Sequence, residues 1–151
     1  MTATAGGTEA TVLAFDFGTR RIGVAVGNTL TRVAHPLATV DAHSAEARFA
    51  AVAALVEEWR PERLIVGVPT HADGTPHAMT AQARAFADAI GKRHALPADL
   101  VDERWTSEVA RDELAASGRG GRAGRAMRDE KAAQIILQAW FDETHDVRRT
   151  P

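Results

Sequence analysis

A mixed β-sheet with helices on both faces, an α/β domain, is the architecture expected of this chain. Three features lead there: two apolar runs near the N-terminus joined by a short glycine-containing turn, a later unbroken apolar run, and helical periodicity between the strands that follow. Strands in a meander followed by strands alternating with helices require a sheet that is part antiparallel and part parallel.

Met1 to Glu9 is small and polar, so residues 1–10 are expected to form a flexible tail ahead of one domain at 11–145. Val12 to Asp16 reads as a buried strand and Arg21 to Gly27 as a second, with Phe17, Gly18, Thr19 and Arg20 as the turn. The two-residue period puts Ile22, Val24 and Val26 on one face and Gly23, Ala25 and Gly27 on the other. A face so bare implies close approach by a helix, another backbone or a ligand.

Val33 to Val40 is the third strand, and Pro36 within it points to a sheet edge or a bulge. From Ser44 onward Phe49, Val52, Val56 and Trp59 recur at helical spacing until Pro61. Arg63 to Val68 suits a strand buried on both faces. Asp73 and Gly74 mark a turn, His77 to His94 a helix with Phe86 and Ile90 on its apolar side, and Leu100 to Glu103 the fifth strand. Thr106 can cap a helix to about Ala116. The Gly/Arg segment Ser117 to Arg125 interrupts it and is expected to be mobile, and Asp129 opens a final helix through Phe141.

A length of 151 residues suffices for one proper core and not for two ordinary domains. Hydrophobic residues at 45% and charged residues at 25% exclude a disordered chain, and no apolar run approaches the roughly 20 residues of a membrane span. The absence of cysteine rules out disulfides and thiolate zinc sites, so the expected address is the cytoplasm. A net charge of −2 argues against a protein that coats nucleic acid. Yet Arg119, Arg122, Arg125 and Arg128 crowd one stretch that could hold phosphates.

Three acids occupy positions where α/β sheets build sites: Asp16 and Glu103 at strand ends and Asp129 at the expected helix start. Each could instead be solvated or act as a cap, Asp129 through the helix dipole alone. Asp16 resists that reading, because it follows Val12, Leu13, Ala14 and Phe15 and is expected to be buried with a partner. Asp102 and Glu103 point to opposite faces of a strand, so only one can join Asp16. Two carboxylates about 4 Å apart repel by about 4 kcal/mol at an effective dielectric near 20. A divalent cation offsets that, and oxygen-only ligands favour Mg²⁺ or Mn²⁺ over zinc. Such a site suits two-metal phosphodiester hydrolysis with water as nucleophile.

The runs Ala14-Phe-Asp-Phe-Gly-Thr-Arg-Arg-Ile-Gly-Val-Ala-Val-Gly27, Val66-Gly-Val-Pro-Thr-His-Ala-Asp-Gly-Thr75, Asp102-Glu-Arg-Trp-Thr106 and Asp129-Glu-Lys-Ala-Ala-Gln-Ile-Ile-Leu-Gln138 resemble the YqgF family. That family is named for nuclease action on pre-16S rRNA and for likeness to Holliday-junction resolvases. The resemblance implies an RNase H-like fold, a five-stranded mixed sheet and metal-dependent hydrolysis in ribosome biogenesis. It also implies an acidic triad of Asp16, Glu103 and Asp129. Precursor rRNA is then the expected partner, with branched DNA as the alternative, and the protein is expected to be a monomer or homodimer. Trp105 and the arginine-rich segment depart from the family pattern and bear on substrate contact only.

Arg20, Arg21, Arg104, Arg119, Arg122 and Arg125 are the candidate nucleic-acid contacts, although the first three could equally neutralise the carboxylates beside them. An actin-like or sugar-kinase ATPase shares Asp-x-Gly-Thr before a strand but needs a second half that this length excludes. A non-catalytic RNA-binding or transcription-associated module would have no use for all three acids. The six histidines lack ligand spacing, and His71 and Asp73 are more simply a turn than a site.

Overall fold

In the computed structural model, β1 (Thr11–Asp16), β2 (Arg21–Asn28), β3 (Ala34–Asp41), β4 (Arg63–Val68) and β5 (Ala98–Asp102) form one sheet in the order β3-β2-β1-β4-β5. Three helices accompany it among the described residues: α1 (Ala45–Trp59), α2 (Thr80–His94) and α3 (Gly121–Arg149). The structure describes residues 10–41, 43–69, 79–102 and 121–149, and within the last stretch side chains from 128 to 143.

β1 lies at the centre because it can be buried on both sides: Val12, Leu13, Ala14 and Phe15 are all at most 1% exposed. It pairs antiparallel with β2 and parallel with β4, while β3 joins β2 antiparallel and β5 joins β4 parallel. Pro36 behaves as its chemistry requires. β3 is the last strand on its side, and the register jumps there, Ala25 facing Pro36 while Val24 faces Ala38. The missing N–H is thus absorbed at an edge bulge.

The alternation of β1 and β2 divides the core in two. On one face Leu13, Phe15, Ile22, Val24, Leu64 and Val66 pack beneath α1 and α2, centred on Phe86, whose ring meets those of Phe15, Phe17 and Phe49. On the other, Val12, Ala14, Ala25, Ile65 and Val101 pack beneath Ala133, Ile136, Leu137 and Phe141 of α3. The bare face of β2 serves that close approach. A Cβ on Gly27 would sit 2.6 Å from the Phe141 ring, so the glycine is the space that the aromatic fills.

Local chemistry sets the helix ends. The Ser44 hydroxyl accepts from the Ala47 amide at 3.0 Å and starts α1, which closes on Arg60 in the left-handed conformation before Pro61. β5 begins two residues earlier than expected, at Ala98, and ends at Asp102. The largest correction concerns α3, which starts at Gly121 and not at Asp129. Arg122, Ala123, Arg125, Ala126, Met127 and Arg128 are good helix formers, and a turn already nucleated downstream outweighs the roughly 1 kcal/mol cost of each glycine. Asp129 therefore lies well inside the helix, where the N-terminal dipole has no hold on it.

Two glutamines of α3 fasten the edge strand. Gln134 Nε2 donates to the Ala34 carbonyl at 2.9 Å, and the Gln138 side-chain oxygen accepts from the Ala34 amide at 3.1 Å. These bonds engage edge-strand backbone groups that no further strand among the described residues pairs with.

His94, in the last turn of α2, is held below its ordinary value of 6.5 by burial and secondarily by the Arg93 charge. The folded state thus binds this proton less readily than the unfolded chain. Stability should be fullest above about pH 6.5 and decline as the pH falls through that value. His94→Gln is expected to flatten the decline, read as urea midpoints at about pH 7.5 and pH 5.5.

Candidate active site

The site is built on one rung of the sheet. Asp16, at the end of β1, pairs with Gly23 on β2 and with Gly67 on β4; the rung continues to Thr39 on β3 and Val101 on β5. Neither strand neighbour of Asp16 carries a side chain, so the sheet leaves its carboxylate room on both sides. Alternation puts Asp16 on the face of Val12 and Ala14, which is the face that α3 covers.

Gly23 is where α3 touches down. A Cβ built there would lie 1.8 Å from the Asp129 carbonyl oxygen and 3.1 Å from its Cα, which no side chain could tolerate. Opposed residues of an antiparallel pair have Cα atoms about 5 Å apart. The backbone of Asp129 therefore rests over the strand partner of Asp16.

Arg21 shares this face, two residues before Gly23. Its Nε donates to Asp129 Oδ2 at 2.8 Å, with the two side chains 34% and 22% exposed. The hydrogen bond from Asp129, and then its charge, push the guanidinium further toward its protonated form; Asp41, opposite on β3, adds to the effect. One residue along α3, Glu130 accepts from the Thr39 hydroxyl at 3.4 Å and ties the helix to the same rung. At the hairpin turn Arg20 is exposed. Arg48 steadies that turn by donating to the Thr19 carbonyl at 2.9 Å, its guanidinium 5.6 Å from the centre of the Phe17 ring.

Of the acids singled out from the sequence, Asp16 and Asp129 flank the same glycine, Asp16 as its strand partner and Asp129 through its backbone. Glu103, Arg104, Arg119, His71, Asp73, the Thr106 helix and residues 1–9 of the tail lie outside the described residues, as do the side chains of Arg122 and Arg125. Val101 faces α3, so alternation turns Asp102 to the opposite face, away from Asp16. Among the described residues no three His, Asp or Glu side chains converge. Two features escaped the sequence. Gly67 was hidden inside an apolar strand, where its only mark was the lack of a side chain, and the Arg21–Asp129 pair spans 108 residues.

A profile of the RuvX family, described as Holliday junction resolvase, matches residues 10–143. The chain belongs to the RuvX family. This is the YqgF group that the four motifs resemble. Among RuvX relatives, a protein of Dechloromonas aromatica is 53% identical over 137 residues, covering 91% of this chain and 94% of its own. One of Chromobacterium violaceum is 49% identical over 132 residues, covering 87% and 96%. Both bear the name "putative pre-16S rRNA nuclease". Of solved structures, T. thermophilus RuvC in complex with a Holliday junction substrate aligns with a TM-score of 0.58 at 18% identity, over 91% of this chain and 96% of that one. A second Thermus thermophilus RuvC structure gives 0.52 at 16%, over 90% and 96%. At such identities the likeness concerns the fold: this RuvX chain has the RNase H-like fold of RuvC. No helix among the described residues is long and apolar enough to cross a membrane.

Proposed function

We propose that this chain is a divalent-metal-dependent nuclease in which Asp16, Glu103 and Asp129 form the catalytic and metal-holding triad. The observation that carries the reading is the placement of the Asp129 backbone over Gly23, the strand partner of Asp16. Two acidic residues are thus set at neighbouring positions of one sheet face, where a held cation would offset the repulsion between their charges. Glu103 follows β5 in the sequence, and its place in the triad rests on the Asp-Glu-Arg motif that resembles the family.

The donor set fits a hard ion. Carboxylate oxygens alone suit Mg²⁺ or Mn²⁺, and a guanidinium already resting on Asp129 marks a place where positive charge is stabilised. When bound, such ions supply an activated water and neutralise the charge on the leaving oxygen. The protein's own part is to fix the carboxylates on a central strand and a long helix, which leaves little freedom to relax. Arg20, Arg21, Arg104, Arg119, Arg122 and Arg125 would bind the phosphates of the strand being cut.

The favoured substrate is a precursor of 16S rRNA, because relatives near 50% identity are named for it. The printed description of the family favours a second reading, a DNA junction. The test is cleavage of precursor rRNA, unrelated single-stranded RNA and a four-way DNA junction side by side, with Mg²⁺ and with Mn²⁺. Cutting of precursor rRNA at least about tenfold faster than of the other two is expected, about 1.4 kcal/mol of discrimination. Faster cutting of the junction would reverse the substrate assignment, and no metal-dependent cutting of any would end the nuclease reading.

A further inference from the structure

Arg21 is placed to do something other than wait for a phosphate. Its Nε holds Asp129 Oδ2 at 2.8 Å, so the oxygen assigned to a metal ion already has a cationic partner. Asp129 rests over Gly23, the partner of Asp16, and Arg21 reaches it from two residues earlier on β2, on the helix-covered face and only partly open to solvent. A divalent ion taking the same oxygen would meet the arginine charge at contact distance. Two cations on that one oxygen repel, so the ion pair competes with a metal ion for Asp129 Oδ2.

We propose that Arg21 is a latch that substitutes for the cation: it neutralises Asp129 in the metal-free protein and must let go before a divalent ion binds. The inference rests on the nuclease reading above, since it needs Asp129 to be a ligand. It assigns Arg21 to the metal-binding equilibrium, where the sequence left open a phosphate contact or simple neutralisation. The device serves two ends. It neutralises the Asp129 carboxylate before metal arrives, and it weakens capture of ions in the absence of substrate. An incoming phosphodiester offers the guanidinium a planar, doubly hydrogen-bonded alternative partner. Substrate and metal then each favour the other's binding, because both require the latch open. Asp41 stands opposite Arg21 on β3 and gives the released side chain an anionic neighbour on the sheet.

The test is Mn²⁺ binding to the full chain without nucleic acid, read from the electron paramagnetic resonance of free Mn²⁺. Parent protein, Arg21→Met, Arg21→Lys and Asp129→Asn are compared, each checked for folding by circular dichroism. Arg21→Met is expected to bind Mn²⁺ roughly two- to fivefold more tightly than the parent, the scale of one partly exposed charge pair. Arg21→Lys, which keeps the charge, should remain close to the parent. Damage to the fold would weaken binding, so a gain separates the latch from a structural role. Equal or weaker Mn²⁺ binding by Arg21→Met, with binding still lost in Asp129→Asn, would overturn the latch and leave the metal site standing. Binding by none of the four proteins would overturn both.

Discussion

Asp16→Asn should lower phosphodiester cleavage by at least about a thousandfold while leaving the fold intact. An amide has nearly the shape of the carboxylate but no charge with which to hold a cation, and a metal's stabilisation of the transition state is worth several kcal/mol at about 1.4 kcal/mol per tenfold. Because Gly23 and Gly67 flank the position, the amide meets no strand-neighbour side chain. The thermal midpoint should stay close to that of the parent, because the substitution adds no bulk to the sheet. The measurement is single-turnover cleavage of precursor rRNA in Mg²⁺ and in Mn²⁺, paired with a melting curve. A variant rate within tenfold of the parent would remove Asp16 from the chemistry, and a collapsed melting curve would make it structural.

Gly23→Ala is expected to damage stability and activity together, although it adds one methyl group and no charge. The new carbon would lie 1.8 Å from the Asp129 carbonyl oxygen and 2.3 Å from its carbon, atoms of a helix backbone that cannot rotate aside. Either β2 or α3 must move. Overpacking of this kind costs about 1–3 kcal/mol, and contact with main chain argues for the upper end. At about 2–4 °C per kcal/mol for a domain of this size, the thermal midpoint should fall by roughly 6–12 °C. Asp129 would be carried off its position, and a shift of about 1 Å can cost about a hundredfold in rate. An alanine variant that melts and cleaves like the parent would mean that α3 does not rest on this strand.

The parts of this molecule that were legible in advance are those in which a short stretch of sequence meets its own environment. Alternation in Arg21 to Gly27 declared two faces, and the bare one turned out to receive α3 at both Gly23 and Gly27. Pro36 declared an edge and a bulge and occupies both. Asp16 declared itself as an acid after four apolar residues. What the sequence withheld depends on partners far away along the chain. The parallel register that sets Gly67 beside Asp16 joins strands that β2, β3 and α1 separate along the chain, and no local pattern encodes it. The start of α3 was misjudged because two glycines and a cluster of arginines resemble a loop. Helix propagation from a packed downstream segment decided otherwise. Arg21 was recognised as a charge near acids, but only the docking of α3 selects Asp129 as its partner.

The order of synthesis gives the position of α3 a further meaning. Every strand of the sheet precedes this helix in the chain, and the face formed by Val12, Ala14, Ala25 and Ile65 has no other cover among the described residues until Ala133 to Phe141 are made. Arg21 and Asp129 lie 108 residues apart, so the two sides of the rung close only after most of the chain has been translated. Non-local contacts of this range form late, after the loop they close has been ordered. A chain synthesised only as far as β5 therefore carries Asp16 on a sheet face that α3 has yet to cover, with Asp129 not yet in place over Gly23.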